Sequence, residues 1–194
     1  MFYLHPHKYK TKTIDASQLL AKYQLGELDF SQINLTREFL TDVDLTDIKL
    51  WRANLAETNF GRTVLKRANL TESNLSGATL WRANLGDSTI VRANCRDAFL
   101  IRANLNRANL RESIFNDAEM RLISLVGANL EGADLSGANL GYADLRTANL
   151  RGANLSRAIL TGANLIHTNL SNTNLEDAIT SGTDFNLAIL ADIG

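Results

Sequence analysis

Residues that commonly perform catalysis or bind metal ions are few in this chain and far apart. The histidines are His5, His7 and His167, and the single cysteine is Cys95. His5 and His7 form at best a weak metal-binding pair near the N-terminus, and His167 is remote from them in sequence. There is no GxxxxGK[ST], GxGxxG, CxxC or HExxH motif. We therefore expect no enzymatic activity, no catalytic, cofactor-binding or metal-binding residues, and no cofactor.

A repeat of five residues organises the rest of the sequence. From Leu25 to Leu190 every fifth residue is apolar except Thr180, and leucine is the commonest. The variants at this position are Phe30, Phe60, Ile90, Cys95, Phe115, Met120 and Phe185. A small residue, usually alanine, stands two places earlier, and asparagine or aspartate usually directly precedes the apolar residue. The repeat therefore explains the many Asn and Asp side chains, and it predicts that Cys95 is a small buried apolar residue.

The five-residue period predicts an unusual architecture. It fits neither an amphipathic helix, with its period of 3.6, nor a strand, with its period of 2. Four short extended segments joined by turns would close a square coil of about twenty residues, and successive coils would stack about 4.8 Å apart. Leucine and alanine would face inward, while Asn or Asp would bind backbone groups at the corners. We expect one all-β solenoid of about eight coils, in which each coil contacts its neighbours.

The same residues carry a resemblance to a known family. The runs RANLRES and GANLEGADLSGANLGYADLRTANLRGANLSRA resemble the pentapeptide repeat family, and the match extends from Leu25 to about Leu190. The resemblance implies a right-handed quadrilateral β-helix. The segment LLAKYQLGELDFSQINL, from Leu19 to Leu35, is similar to the opening segment of cyanobacterial members, a short helix that leads into the first coil. The family implies a fold much more strongly than a function.

Four segments follow from this interpretation. We expect a flexible basic tail at residues 1–14, a capping helix at 15–24, the β-helix at 25–190 and a C-terminal end at 191–194. Asp15 and Gln18 suit a capping box, and Leu19, Leu20 and Tyr23 form one apolar stripe that should cover the first coil.

The first coil departs from the repeat. Large residues replace alanine at Leu28, Ile33, Val43 and Ile48, and a charged Glu38 stands beside an apolar Phe39. Because an unpaired buried carboxylate is costly, we expect Glu38 to point outward and Phe39 to take the inward position.

Charge and composition restrict the partners. Lys and Arg number 20 against 21 for Asp and Glu, a net charge of −1. This balance favours binding neither to nucleic acid nor to acidic membranes. No secretory signal or run of about 20 apolar residues is visible, and one cysteine forms no internal disulfide. We expect a cytoplasmic protein.

One side of the predicted rod stands out as a binding surface. Residues twenty apart lie on the same side, so Arg62, Arg82 and Arg102 form one column beside Trp81. The candidate partner-binding face comprises Arg62, Trp81, Arg82, Phe99, Ile101, Arg102 and Arg121. Trp and Arg are enriched in binding hot spots. The alternative is that arginine recurs because Arg-Ala-Asn is a common form of the repeat.

Two functions from different classes compete. The first is a non-enzymatic scaffold that binds an unidentified protein partner. The alternative, implied by the family resemblance, is a DNA mimic that binds DNA gyrase. Such a mimic needs a strongly negative rod, whereas the most acidic side here, with Glu57, Asp97 and Asp117, also carries Arg37 and Arg96. The sequence therefore favours the scaffold.

The C-terminal end has no helix to cover it. Bare ends of solenoids need protection. One expectation is a weak two-fold homodimer formed end to end through the last coil. The residues at or near that contact would be Phe185, Leu187, Ile189, Leu190 and Ile193. The competing expectation is that residues 191–194 fold across the opening and that the chain stays monomeric.

Overall fold

The computed structural model describes residues 12–191. The elements in chain order are β1 (Lys12–Thr13), α1 (Ala16–Gln24) and β2 (Ile33–Asn34), where β1 and β2 pair in parallel. Beyond them, single parallel bridges join residues twenty apart, from Asp29–Lys49 to Asn169–Ile189, on all four sides of a square coil. The chain is a right-handed quadrilateral β-helix of about eight coils, as the sequence predicts.

Each repeat is one turn followed by one bridge. In the repeat that contains Leu80, the N–H of Ala83 donates to the Leu80 carbonyl oxygen at 3.0 Å, and Arg82 between them has a φ of 53°. The Leu80 N–H donates to the Phe99 carbonyl oxygen of the next coil at 2.7 Å. Since the same pattern recurs along the rod, the turns and the inter-coil bonds together satisfy the backbone.

The interior is filled by the inward residues. Phe60, Leu105 and Phe115 are fully buried, and alanines such as Ala103 lie beside them. Where threonine replaces alanine, its hydroxyl finds a partner: Thr58 Oγ1 donates to the Leu35 carbonyl oxygen at 2.7 Å. The core is therefore apolar and continuous along the rod.

Asparagines order the corners, as the repeat predicts. The Oδ1 atom of Asn59 accepts a hydrogen bond from the Gly61 N–H at 2.9 Å. Along one side, Asn74 Nδ2 donates to Asn54 Oδ1 and Asn94 Nδ2 donates to Asn74 Oδ1, each at 3.1 Å. The amides thus bind both the turn and the neighbouring coil.

The predicted capping helix is present at the N-terminal end. Asp15 and Gln18 form the capping box, Leu19 is fully buried, and the Tyr23 hydroxyl donates to the Thr46 carbonyl oxygen at 2.8 Å. The large residues of the first coil pack under it, since Ile33 and Ile48 are buried.

Three expectations for this end are corrected. Residues 12–14 are not a flexible tail, because β1 pairs with β2 and Ile14 is buried; the rest of the predicted tail lies outside the described residues. Leu25 is the helix C-cap and is 89% exposed, so the inward positions begin at Phe30. Phe39 points outward, and Glu38 is half-buried because its Oε2 atom accepts the Ala16 N–H at 3.0 Å.

Burial decreases towards the C-terminal end. Leu170 is fully buried, whereas Leu175 and Phe185 are only partly buried and Leu190 is 45% exposed. Within residues 12–191 no helix has the length and apolar character needed to cross a lipid bilayer.

Candidate protein-binding face

The seven residues of the predicted face lie together on one side of the rod. The main chain brings them there: Arg62 N–H donates to the Trp81 carbonyl oxygen, and Arg82 N–H donates to that of Ile101, at 2.8 and 3.0 Å. In the next coil the Arg102 N–H donates to the Arg121 carbonyl oxygen at 3.0 Å. We call this side, from Phe39 and Asp42 at one end to Tyr142 and Gly162 at the other, the Trp81 face.

Trp81 is held by stacked guanidinium groups. The Arg82 guanidinium carbon lies 4.8 Å from the centroid of the indole ring, and that of Arg62 lies 5.8 Å away. Cation–π contacts of this kind orient both groups. Trp81 nevertheless remains 37% exposed, so much of the indole is free to contact a partner.

The arginine column is only partly unpaired. The Asp42 carboxylate of the preceding coil pairs with Arg62, and this hydrogen bond lowers the pKa of Asp42. Glu119 pairs with Arg121 at 3.2 Å. Over the described part of the chain, Arg82 and Arg102 have no ion pair. Of the three arginines that the sequence places in one column, Arg62 is thus compensated within the rod.

Two shallow depressions flank Trp81. One, of about 230 Å³, lies between Asp42, Arg62 and Trp81, over the small residue Gly61. The other, of about 440 Å³, extends in the opposite direction along the rod. Its lining residues are Trp81, Ile101, Arg102, Arg121, Leu122 and Tyr142.

The second depression includes two residues that the sequence interpretation missed. Leu122 is 46% exposed and Tyr142 is 65% exposed. Tyr142 lies over Gly162: a Cβ atom at Gly162 would approach Tyr142 Cε1 to 2.6 Å. The available signal was the twenty-residue spacing, because Leu122 and Tyr142 continue the column of Arg102.

The opposite side carries arginines of a different kind. Arg52 and Arg92 both pair with Glu72, at 2.6 and 2.7 Å, and hydrogen bonds from both arginines lower the pKa of that carboxyl. Trp51 stacks on Arg52, with 4.4 Å between guanidinium carbon and ring centroid. Since charges alternate along this side, its arginines are compensated within the rod.

The candidate residues of the C-terminal end are grouped but separate from the Trp81 face. Leu187 is 71% exposed and Ile189 is 53% exposed, Leu190 is also exposed, and Phe185 is half-buried. Ile193 lies outside the described residues. His167 is exposed, and no three His, Cys, Asp or Glu side chains converge into a metal-binding group in the described range.

Comparison with known proteins identifies the repeat. The sequence profile described as "Pentapeptide repeats" matches eight copies, over residues 44–82, 90–125, 123–152, 138–177 and 168–192. No curated protein sequence matches the chain significantly.

Among solved structures, one resembles this chain in fold and another resembles it in sequence. A trypsin-treated QnrB1, a plasmid-mediated fluoroquinolone resistance protein, superposes with a TM-score of 0.71 at 16% identity, over 84% of this chain and 89% of that one. HetL, a pentapeptide repeat protein involved in heterocyst differentiation regulation from the cyanobacterium Nostoc sp. strain PCC 7120, is 33% identical over 93% of this chain and 94% of its own. Its TM-score is 0.36.

A third structure comes from another cyanobacterium. Rfr23 of Cyanothece 51142 is 23% identical over 90% of this chain and 98% of its own, with a TM-score of 0.26. The QnrB1 superposition supports the fold, and the repeat profile, which matches more than half of the chain, shows the family. The chain belongs to the pentapeptide repeat family.

Proposed function

We propose that the protein is a non-enzymatic scaffold that binds another protein through the Trp81 face. One observation carries the proposal: exposed large apolar side chains gather on this face beside two arginines that have no ion pair among residues 12–191. Phe39, Trp81, Phe99, Leu122 and Tyr142 all lie there. Contiguous exposed apolar surface on a soluble protein commonly marks an interaction site.

The rod suits this role physically. Its coils hold outward side chains at fixed spacings, so binding would require little ordering of the scaffold itself, and preorganisation favours affinity. HetL is described as involved in the regulation of heterocyst differentiation, and a regulatory role of that kind can rest on binding alone. We also infer a cytoplasmic location, because a single buried thiol requires no oxidising compartment.

Affinity capture from a host lysate tests the scaffold. The variant Trp81→Ala/Arg82→Glu should lose the captured partner, while its melting temperature stays nearly unchanged because both side chains are exposed. The control is Trp51→Ala/Arg52→Gln, which removes the stacked pair on the opposite side without placing a second carboxylate beside Glu72, and it should retain the partner. Retention of every partner by both variants would contradict the proposal.

The DNA mimic that binds DNA gyrase is the competing function. Its motivation is the family resemblance, and the likeness to QnrB1, at 16% identity, adds only that the fold is shared. We expect no inhibition of gyrase supercoiling at micromolar protein, because arginines interrupt the carboxylates and pair with them, as Arg37 does with Glu57 at 2.8 Å. A supercoiling assay checks this directly, and clear inhibition would favour the mimic.

A further inference from the structure

We propose that the Trp81 face binds an extended segment of its partner in which two acidic residues and one apolar residue occupy alternate positions. The carboxylates would lie over Arg82 and Arg102, and the apolar side chain would occupy the depression beside Leu122 and Tyr142. This inference rests on the proposed function and adds the chemistry of the partner.

The charge of the segment follows from the two arginines. Arg82 and Arg102 are exposed and occupy the same column of adjacent coils, about 4.8 Å apart along the rod. Like charges this close repel each other, and neither has an ion pair within residues 12–191. Arg guanidinium groups bind carboxylates in a bidentate geometry. An acidic segment would relieve the repulsion and supply the missing partners.

The apolar part of the segment follows from the depression. Beyond Arg102 the same column continues with Leu122 and Tyr142, which are 46% and 65% exposed. Together with Trp81 and Ile101 they line the space of about 440 Å³. That volume accommodates one or two aliphatic or aromatic side chains, whose burial would be the main source of affinity.

The dimensions define the length of the segment. Three coil spacings separate the coil of Trp81 from that of Tyr142, or about 14 Å. At about 3.3 Å per residue, an extended chain of four or five residues covers this distance. Because successive side chains of an extended chain point to opposite sides, only every second residue contacts the face. Two acidic residues and one apolar residue at alternate positions of a five-residue segment therefore match the face.

Other occupants fit less well. The N-terminal segment of this chain carries Lys8, Lys10 and Lys12, and its charge has the same sign as the arginines. A second copy would have to place its acidic side, around Asp97 and Asp117, against the arginines. That contact joins two different surfaces, so it cannot give the closed two-fold dimer that is the commonest assembly, and it leads to a ring or a filament.

Tryptophan fluorescence of the full chain tests the proposal. The chain has 2 tryptophans, so the Trp51→Phe background leaves Trp81 as the sole reporter on the face. The probes are capped seven-residue peptides with the core Glu-Ser-Glu-Ser-Phe, or with Lys-Ser-Lys-Ser-Phe or Glu-Ser-Glu-Ser-Ala as comparisons. We expect saturable binding of the first peptide with a Kd below about 1 mM, and at least about tenfold weaker binding of the other two.

Variants of the Trp81 face show which of its residues contact the charged positions of the peptide and which contact the apolar position. Arg82→Asn/Arg102→Asn should abolish the preference for Glu over Lys, and Leu122→Asn should abolish the preference for Phe over Ala. Asparagine is chosen because these positions have φ of 53°, 59° and 58°, in the left-handed region that it tolerates. The control Arg96→Asn/Arg157→Asn removes two arginines from another side and should leave binding unchanged.

Three results would overturn the inference. The first is equal binding of the Lys and Glu peptides. The second is no binding of any peptide at concentrations up to about 1 mM, which corresponds to a binding free energy of about −4 kcal/mol. The third is Trp81 fluorescence that changes with protein concentration in the absence of peptide. The last would identify a second copy as the occupant. If no peptide binds while Trp81→Ala/Arg82→Glu still loses its captured partner, the scaffold stands and only the chemistry of the segment is wrong.

Discussion

Leu105 shows what a single inward residue contributes to this rod. Its side chain is fully buried, and its N–H donates to the Ser124 carbonyl oxygen of the next coil at 2.8 Å. Coils above and below enclose it, so the surroundings can close only partly over a lost side chain. The inward residues are therefore the sites where small changes cost most.

Leu105→Ala should lower the free energy of unfolding by about 2–5 kcal/mol, because it removes apolar contacts and leaves a cavity. Leu105→Arg should prevent folding, since an unpaired charge would enter an apolar core. Urea unfolding measures the first effect, with the outward Ile114→Ala, 37% exposed, as control. A soluble, cooperatively melting Leu105→Arg protein would show that the inward assignment is wrong.

Cys95 reports on opening of the same core. It is buried, as the repeat predicts, and burial raises the pKa of its thiol to about 12. Because the thiolate is the reactive form, we expect native protein not to react with iodoacetamide at about pH 8, and denatured protein to react readily. Mass spectrometry measures the modification. Rapid labelling under native conditions would mean that the middle coils open easily.

Among the elements, helix α1 depends on the coil beneath it. Its first turn has unpaired N–H groups, and the Glu38 carboxylate accepts that of Ala16. The negative charge also lies at the positive end of the helix dipole. This contact explains why a charged residue occupies a position that elsewhere holds alanine.

Glu38→Ala should therefore destabilise the N-terminal end by about 1 kcal/mol, in the range of a lost N-terminal cap, and Glu38→Gln should cost less because it keeps an acceptor. Faster amide exchange of Leu19 and Leu20 would locate the effect in the helix. Glu27→Ala removes an exposed pair with Lys22 and should change little. Equal effects of Glu38→Ala and Glu27→Ala would contradict the anchoring role.

The sequence predicted the elements better than their junctions. The five-residue period was sufficient for the inward register, because a one-residue slip would bury polar side chains. It failed at Leu25, where helix capping takes precedence over the repeat, and at Phe39, because the hydrogen bond to Ala16 that holds Glu38 is visible only after folding. The Trp81 face was found from its arginines. Leu122 and Tyr142 were missed although the twenty-residue spacing places them in the column of Arg102, because that spacing does not give how much of each side chain stays exposed.

For the whole molecule, the two ends differ. α1 covers the N-terminal end, while the last coil exposes Leu187, Ile189 and Leu190. We propose a two-fold dimer through this coil, in which each end covers its twin and the assembly closes. The cross-section of one coil is small, so the interface would be at the low end of stable interfaces and the dimer weak.

Light scattering over a concentration series should show a mass that rises above the monomer value of 21.4 kDa. Leu190→Asp should return it to the monomer, because it places a charge in the apolar contact. Leu25→Asp, at an exposed residue beside the N-terminal end, serves as control. A mass that stays at the monomer value at every concentration, with no effect of Leu190→Asp, would leave the monomer as the correct state.

The spacing of twenty residues between paired positions also governs how the rod comes apart. Every coil closes a loop of the same length, so the entropy of closing it does not grow with the number of coils. Within residues 12–191 of a monomer, the coil that contains Ile189 has a neighbouring coil on one side only, whereas the first is held by α1 and β1. Local unfolding of the monomer should thus begin near Ile189 and proceed coil by coil toward α1. The local free energy of unfolding should therefore decrease along the rod, from the coils next to α1 to the coil that contains Ile189.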